Sequence, residues 1–324
     1  MTLFTLAELE AAAELVHAHV PATPQFAWPL LRQRTGVEVW VKHENHTPTG
    51  AFKVRGGVVY MDWLKRSQPE VTGVISATRG NHGQSIAVAA ARAGLQCVIV
   101  VPEGNSVEKN AAIRAFGAEL VVHGHDFDAA RAHAAHLAEQ RRLHFVPSFD
   151  KHLVIGVATY ALELFRAVPD LQRVYVPIGL GSGICGVITV RDLLGLDTEI
   201  VGVVADAAPA YALSLEAGRG IESNSAATFA DGMAVRSPSA AAFAIIQTGV
   251  ARILRLSEDE IAAAIRVYYS DTHNLAEGAG AAPLAGLLRE SDTLRGRKAG
   301  VILCGGNIDA QVFAQVLAGR TPKV

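Results

Sequence analysis

The sequence has 324 residues, half of them hydrophobic and 19% charged, which suits a chain that buries a sizeable core in about two domains and excludes a disordered or nucleic-acid-coating protein. Lysine and arginine number 29 against 31 acidic residues, so no net field recruits a phosphate backbone or an anionic lipid surface. The three cysteines, Cys97, Cys185 and Cys304, lack CxxC spacing and imply neither a disulfide framework nor a zinc cluster.

The opening segment, MTLFTLAELEAAAELVHAHV, carries acidic residues on a helical period and lacks the basic start and cleavage site of a secretory signal. No uninterrupted apolar run approaches the ~20 residues of a membrane helix. A cytoplasmic protein is expected, with neither nucleic acid nor membrane as partner. Strands are then predicted at VEVWV (37–41), VTGVIS (71–76), CVIVV (97–101), AELVV (118–122), VYVPI (174–178), EIVGVV (199–204) and AGVIL (299–303). Between them, SIAVAAARA follows GNHGQ, VEKNAAIRAFG ends on a glycine stop, and SEDEIAAAIRVYY opens with a capping box at Ser257 and Glu260. Strand alternating with helix predicts an α/β chain whose parallel sheets are covered on both faces. The block 73–147, with three predicted strands, reads as a small inserted domain, and 1–72 with 148–324 as the large one.

Four stretches carry chemistry. HTPTGAFKVRGG places Lys53 after a threonine- and glycine-rich turn, where a solvated helix start is the plain reading. In SATRGNHGQS, Asn81 follows a strand and precedes a helix: it either caps the helix or presents its amide at the C-terminal edge of the sheet, where open α/β folds bind ligands. His82 there reads first as a packed histidine. In VYVPIGLGSGICG, Gly179, Gly181, Ser182 and Gly183 lie between strand and helix, so backbone N–H groups can converge on an anion such as phosphate. A tight turn and a dinucleotide fingerprint are the alternatives, the latter weakened because Ile184 stands where a small residue is needed. In LCGGN, Cys304 is either a buried small hydrophobe or a weak partner for a ring nitrogen. His123, His125 and Asp126 lack a fourth ligand for a metal. His43, Glu44 and His46 read as polar residues of the strand-to-turn region.

Taken together, in this order, these stretches resemble the fold type II pyridoxal 5′-phosphate enzymes of the serine/threonine dehydratase and serine racemase family. The resemblance spans roughly residues 20–315 and implies a tryptophan synthase β-like fold with two lobes, each built on a mainly parallel sheet. It implies that Lys53 forms the Schiff base with the cofactor, with Phe52 against the ring. Asn81 would bond the 3′-hydroxyl, and Thr78, Arg79, Gly80, Asn81 and His82 would meet the amino-acid substrate, with its carboxylate held by Thr78 and neighbouring amides. Gly179, Leu180, Gly181, Ser182 and Gly183 would cradle the phosphate, Cys304 would face the pyridine nitrogen, and Glu277 would lie near the cofactor's other edge.

The implied activity is an ammonia-lyase acting on phenylserine, threonine or serine, or a hydroxyectoine-pathway dehydratase, which DTHNLAEGAGAA resembles. A nicotinamide-dependent oxidoreductase built on GLGSG and a catalytically silent relative are the rivals. Departures from the family pattern are Leu180 and Ser182 among the glycines, and Arg79 where the family has a small residue, which argues against racemase chemistry. Only Asp206 is acidic at the family's optional cation site, so no metal is expected. Few residues follow LCGGN, so the C-terminal regulatory domain of biosynthetic threonine dehydratases is not expected. A homodimer is compatible with the resemblance.

Overall fold

A computed structural model describes residues 3–323. In chain order the strands are β1 (Gln25–Ala27) and β2 (Glu38–His43), then β3 (Gly73–Ala77), β4 (Gln96–Val101), β5 (Glu119–Val122) and β6 (His144–Phe145), then β7 (Arg173–Pro177), β8 (Glu199–Ala205), β9 (Arg252–Leu256) and β10 (Lys298–Leu303). They sort into a six-stranded sheet, order β1-β2-β10-β7-β8-β9, and a four-stranded sheet, order β5-β4-β3-β6. Only β1 pairs antiparallel. All of β3 and all of β8 but its first residue are buried, as β-branched strands covered by helices on both faces should be.

Three strands were not predicted, and each is a sheet edge: β1, β6 and β9. Edge strands are short and half-exposed, so their sequences lose the apolar run that marks a central strand; RILRL in β9 alternates with arginine. The block 73–147 therefore holds four strands instead of three. The Ser257–Glu260 capping box forms, and a second closes on Thr5 and Glu8. No helix among the described residues is long and apolar enough to cross a membrane.

The helix Lys53–Ser67 packs against the helices Asn81–Arg92 and Lys151–Ala167. Its Gly56 and Gly57 are explained by that packing. A methyl on Gly56 would stand 2.6 Å from the Leu153 carbonyl oxygen, and one on Gly57 would overlap the Ser85 side chain.

A buried charge network anchors this helix. The fully buried Arg55 donates from Nε to Glu44 Oε2 (2.7 Å), from Nη1 to Glu163 Oε1 (2.6 Å) and from Nη1 to Thr159 (3.1 Å). Lys42 Nζ, also fully buried, donates to Glu163 Oε2 (2.5 Å), the Thr23 carbonyl (2.8 Å) and Gln25 (3.1 Å). His43 ends β2 and Glu44 and His46 lie in the single 3₁₀ turn that follows, the strand-to-turn region expected for them, with the side chains of His43 and Glu44 buried. Glu44 lies opposite Arg55, whose charge could not be buried without it.

Candidate active site

One cleft, about 130 Å³ in volume, gathers Phe52, Lys53, Thr78, Arg79, Gly80, Asn81, His82, Gly179, Leu180, Gly181, Ser182, Gly183, Glu277 and Cys304. The fold brings them together because β3, β7 and β10 end at the cleft, and the loops after parallel strands meet there.

Lys53 opens its helix directly after a turn in which Thr47 Oγ1 accepts from the Ala51 amide (3.0 Å) and donates to the Ala51 carbonyl (2.8 Å). The Phe52 amide donates to the Cys304 carbonyl (2.9 Å), which ties the lysine turn to the end of β10. Lys53 Nζ donates to Ser182 Oγ (2.8 Å) and stands 5.1 Å from the centroid of the Phe52 ring. Burial pushes its pKa down to about 8, because no carboxylate faces the ammonium form. Burial likewise raises the Cys304 thiol well above its ordinary value, so it faces the cleft neutral.

Asn81 is the first residue of the helix Asn81–Arg92, with Gly80 in the cap position. Gly80 before it has φ 148°, and a Cβ there would overlap the Lys109 side chain. Thr78 Oγ1 accepts from the amides of Gly80 (2.9 Å) and Gly83 (3.2 Å), so this hydroxyl shapes the loop. His82 is buried with Nε2 unpartnered; burial, aided by Lys53, lowers its pKa to about 3 and keeps the ring neutral. Across the cleft Gly181, at φ 101°, turns the chain into the helix Ser182–Leu193, whose N-terminus has no side-chain cap. A methyl on Gly183 would lie 3.5 Å from the Phe52 ring.

The sequence reading missed Lys109 and Asp231, and gave Asn307 no role. Lys109 Nζ donates to Asp231 Oδ2 (2.6 Å) and Glu277 Oε2 (2.9 Å), while Asn81 Nδ2 donates to Glu277 Oε1 (2.6 Å). Asn307 Nδ2 donates to Asn81 Oδ1 (2.9 Å). Glu277 is thus joined directly to Asn81. Burial pushes the Glu277 carboxyl up, opposed by Lys109 and Asn81, which each donate to a different oxygen. Lys109 itself, despite burial, is raised by Asp231 and Glu277. Lys109 lay inside VEKNAAIRAFG, where helical periodicity concealed a side chain that reaches the cleft; Gly80, sterically matched to it, was the available signal.

Elsewhere, His123 stacks on His133 (centroids 3.7 Å apart), and His125 lies 3.5 Å from Asp126. Asp206 accepts from Arg255 (2.8 Å). Among the described residues no three histidine, cysteine or acidic side chains cluster as a metal site would require.

These residues fit pyridoxal phosphate. An uncapped helix N-terminus behind Gly179–Gly183 offers N–H groups to a phosphate, a depressed lysine offers an amine to an aldehyde, and a neutral thiol suits a ring nitrogen. The comparisons agree. An L-threonine ammonia-lyase of Geobacter sulfurreducens is 37% identical over 308 residues, 94% of this chain and 73% of the relative. The processed form of threonine deaminase isoform 2 from Solanum lycopersicum superposes with a TM-score of 0.88 at 31% identity, covering 98% of this chain and 95% of that one. A pyridoxal 5′-phosphate-dependent aspartate racemase superposes with a TM-score of 0.91 at 26% identity, covering 96% and 98%. The dinucleotide alternative for Gly179–Gly183 is thereby set aside. Residues 16–305 match the pyridoxal-phosphate dependent enzyme family, and the chain belongs to it, with pyridoxal 5′-phosphate as cofactor and the fold type II architecture.

Proposed function

We propose that the protein is an ammonia-lyase that eliminates water from a β-hydroxy-α-amino acid of the threonine, serine or phenylserine type, giving a 2-oxo acid and ammonia. The observation that carries this reading is Lys53: an amine lining the cleft, hydrogen-bonded only to a serine hydroxyl, with its pKa lowered by burial to about 8. The relatives named L-threonine ammonia-lyase support it.

When bound, the cofactor supplies an electron sink for the pair left at Cα. Lys53 would hold the cofactor through Nζ, and its free amine is the base placed to take the α-proton. The amides of the Thr78–His82 loop orient the substrate carboxylate, and the 182–193 helix start holds the phosphate. Ser182 Oγ, which accepts from Lys53 Nζ, is placed to relay the proton that Lys53 takes from Cα to the departing hydroxyl, which leaves as water, so that Lys53 and Ser182 end as they began. Cys304, neutral in the cleft, would meet the ring nitrogen without a negative charge, a partner suited to elimination of a β-substituent. The released enamine then takes up water and yields the 2-oxo acid and ammonia.

Lys53→Ala is expected to bind the cofactor without a borohydride-fixable link and to lose at least ~10³-fold in kcat for 2-oxo acid release across a β-hydroxy amino acid panel. Wild-type protein that releases no ammonia from any member, or a variant that keeps turnover, would contradict the assignment.

A further inference from the structure

A second chamber, about 450 Å³ in volume, opens beyond the cleft. Arg79, Phe127, Ser148, Leu180, Ala234 and Val235 line both cavities and so form the partition between them. Apart from Arg79 and Ser148 this partition is apolar, which lets a carbon chain pass but does not explain a guanidinium. Arg79 is only partly exposed and makes no ion pair among the described residues.

The chamber's other charges stand differently. Asp126 accepts from the Ala129 amide (2.8 Å) as a helix cap and lies 3.6 Å from Arg236. Glu222 accepts from Ser237 (3.0 Å). Asp128, Arg131 and Arg236 are exposed on the chamber's outer side. Arg79 is thus the one charge on the partition, and its donors are not taken by a carboxylate. An unpaired guanidinium with five donors in a planar fork matches a carboxylate or amide oxygen better than it matches hydrocarbon. The methyl of threonine, attached at Cβ beside Lys53, would use neither the chamber nor this cation.

Building on the lyase reading, we propose that the β-substituent of the substrate is longer than methyl, crosses the Phe127–Leu180–Val235 wall and ends in an oxygen acceptor bound by Arg79 in the outer chamber. Arg79 is then the residue that sets substrate choice. The acceptor is a carboxylate or an amide carbonyl, which the same guanidinium serves and which the test separates.

The test uses holoenzyme and amino acids that lack a β-hydroxyl, so nothing is eliminated and binding is read from the visible absorption of the cofactor. The ligands are 2-aminoadipate, its side-chain amide, norleucine and phenylalanine. In wild type, 2-aminoadipate or its amide should bind at least ~10-fold tighter than norleucine, the worth of one charge-assisted hydrogen bond. Whichever of the two binds tighter identifies the terminus. The preference should fall to about twofold in Arg79→Ala and be partly kept in Arg79→Lys. Equal binding of norleucine, tightest binding of phenylalanine, or a preference that survives in Arg79→Ala would each overturn the proposal. A wild-type holoenzyme that binds these ligands selectively yet releases no 2-oxo acid from any β-hydroxy amino acid would instead count against the lyase reading alone.

Discussion

Two lysines line the same cleft and differ in what surrounds them. Lys53 meets a hydroxyl, a thiol and a ring, and its pKa falls to about 8; Lys109 meets two carboxylates, and its pKa rises despite burial. Removing water penalises both ammonium groups, so burial cannot account for the difference. The partner decides: Coulomb attraction offsets desolvation at Lys109, and nothing comparable acts at Lys53. One lysine is thereby kept available for chemistry. The other is fixed as a cation that holds Glu277, and through it Asn81, in place.

The widest separation should appear in stability. Lys109→Met strands Glu277 and Asp231 and is expected to destabilise the apoprotein by about 3–5 kcal/mol in denaturant titration. Lys53→Met strands no carboxylate and should stabilise it by about 1–2 kcal/mol at neutral pH. The sign of its pH dependence follows from the depressed pKa. Below about 8 the folded protein carries the full penalty of a desolvated ammonium; between about 8 and the ordinary value of 10.5 the unfolded chain binds more protons, and wild-type stability rises with pH. The gap between Lys53→Met and wild type should therefore close toward pH 10.5, and a gap independent of pH would refute the comparison.

A smaller effect tests whether pairing has the same meaning outside the cleft. Lys42 and Arg55 oppose the effect of burial on Glu163 and hold its carboxyl at about 2 instead of 4.5. A depressed carboxylate contributes stability above its unfolded pKa and loses it as pH falls through the folded one. Wild type should therefore lose about 2–3 kcal/mol between pH 4.5 and 2 that Glu163→Gln, already weakened at neutral pH, no longer has to lose. Parallel acid limbs for the two proteins would show that the network does not titrate as one unit.

The smallest effect isolates the free amine. Capture of pyridoxal phosphate by apoprotein, followed by absorbance, should speed up by about tenfold per pH unit below 8 and level off above it, since only neutral Lys53 attacks the aldehyde. A flat profile from pH 6 to 9 would remove the link between depressed pKa and reactivity.

The central strands were legible because a run such as CVIVV or EIVGVV has one stable placement, in the middle of a sheet covered on both faces. Edge strands β1, β6 and β9 were not, since half-exposed sequence carries no such constraint. Among the site residues, those in the glycine-bearing stretches between a strand and a helix were recognised, because glycine there marks places where backbone must turn sharply or approach closely; Asp231, beside Gly232 in a loop with no strand before it, was not. Arg55 sat within the quoted lysine motif, yet nothing local separates a buried arginine from an exposed one. Its burial depends on Glu44, Thr159 and Glu163, which come from other parts of the chain.

By itself, then, the sequence determined the α/β alternation, the lysine turn, the glycine-rich helix start and the family they resemble, because these are local requirements of backbone geometry. Tertiary structure alone decided which charges meet. Lys109 finds Glu277 across 168 positions of sequence, Lys53 finds none, and Arg79 stands at a partition between two cavities. The strength and sign of an electrostatic interaction depend on distance and burial in space, and neither is written in the order of the residues.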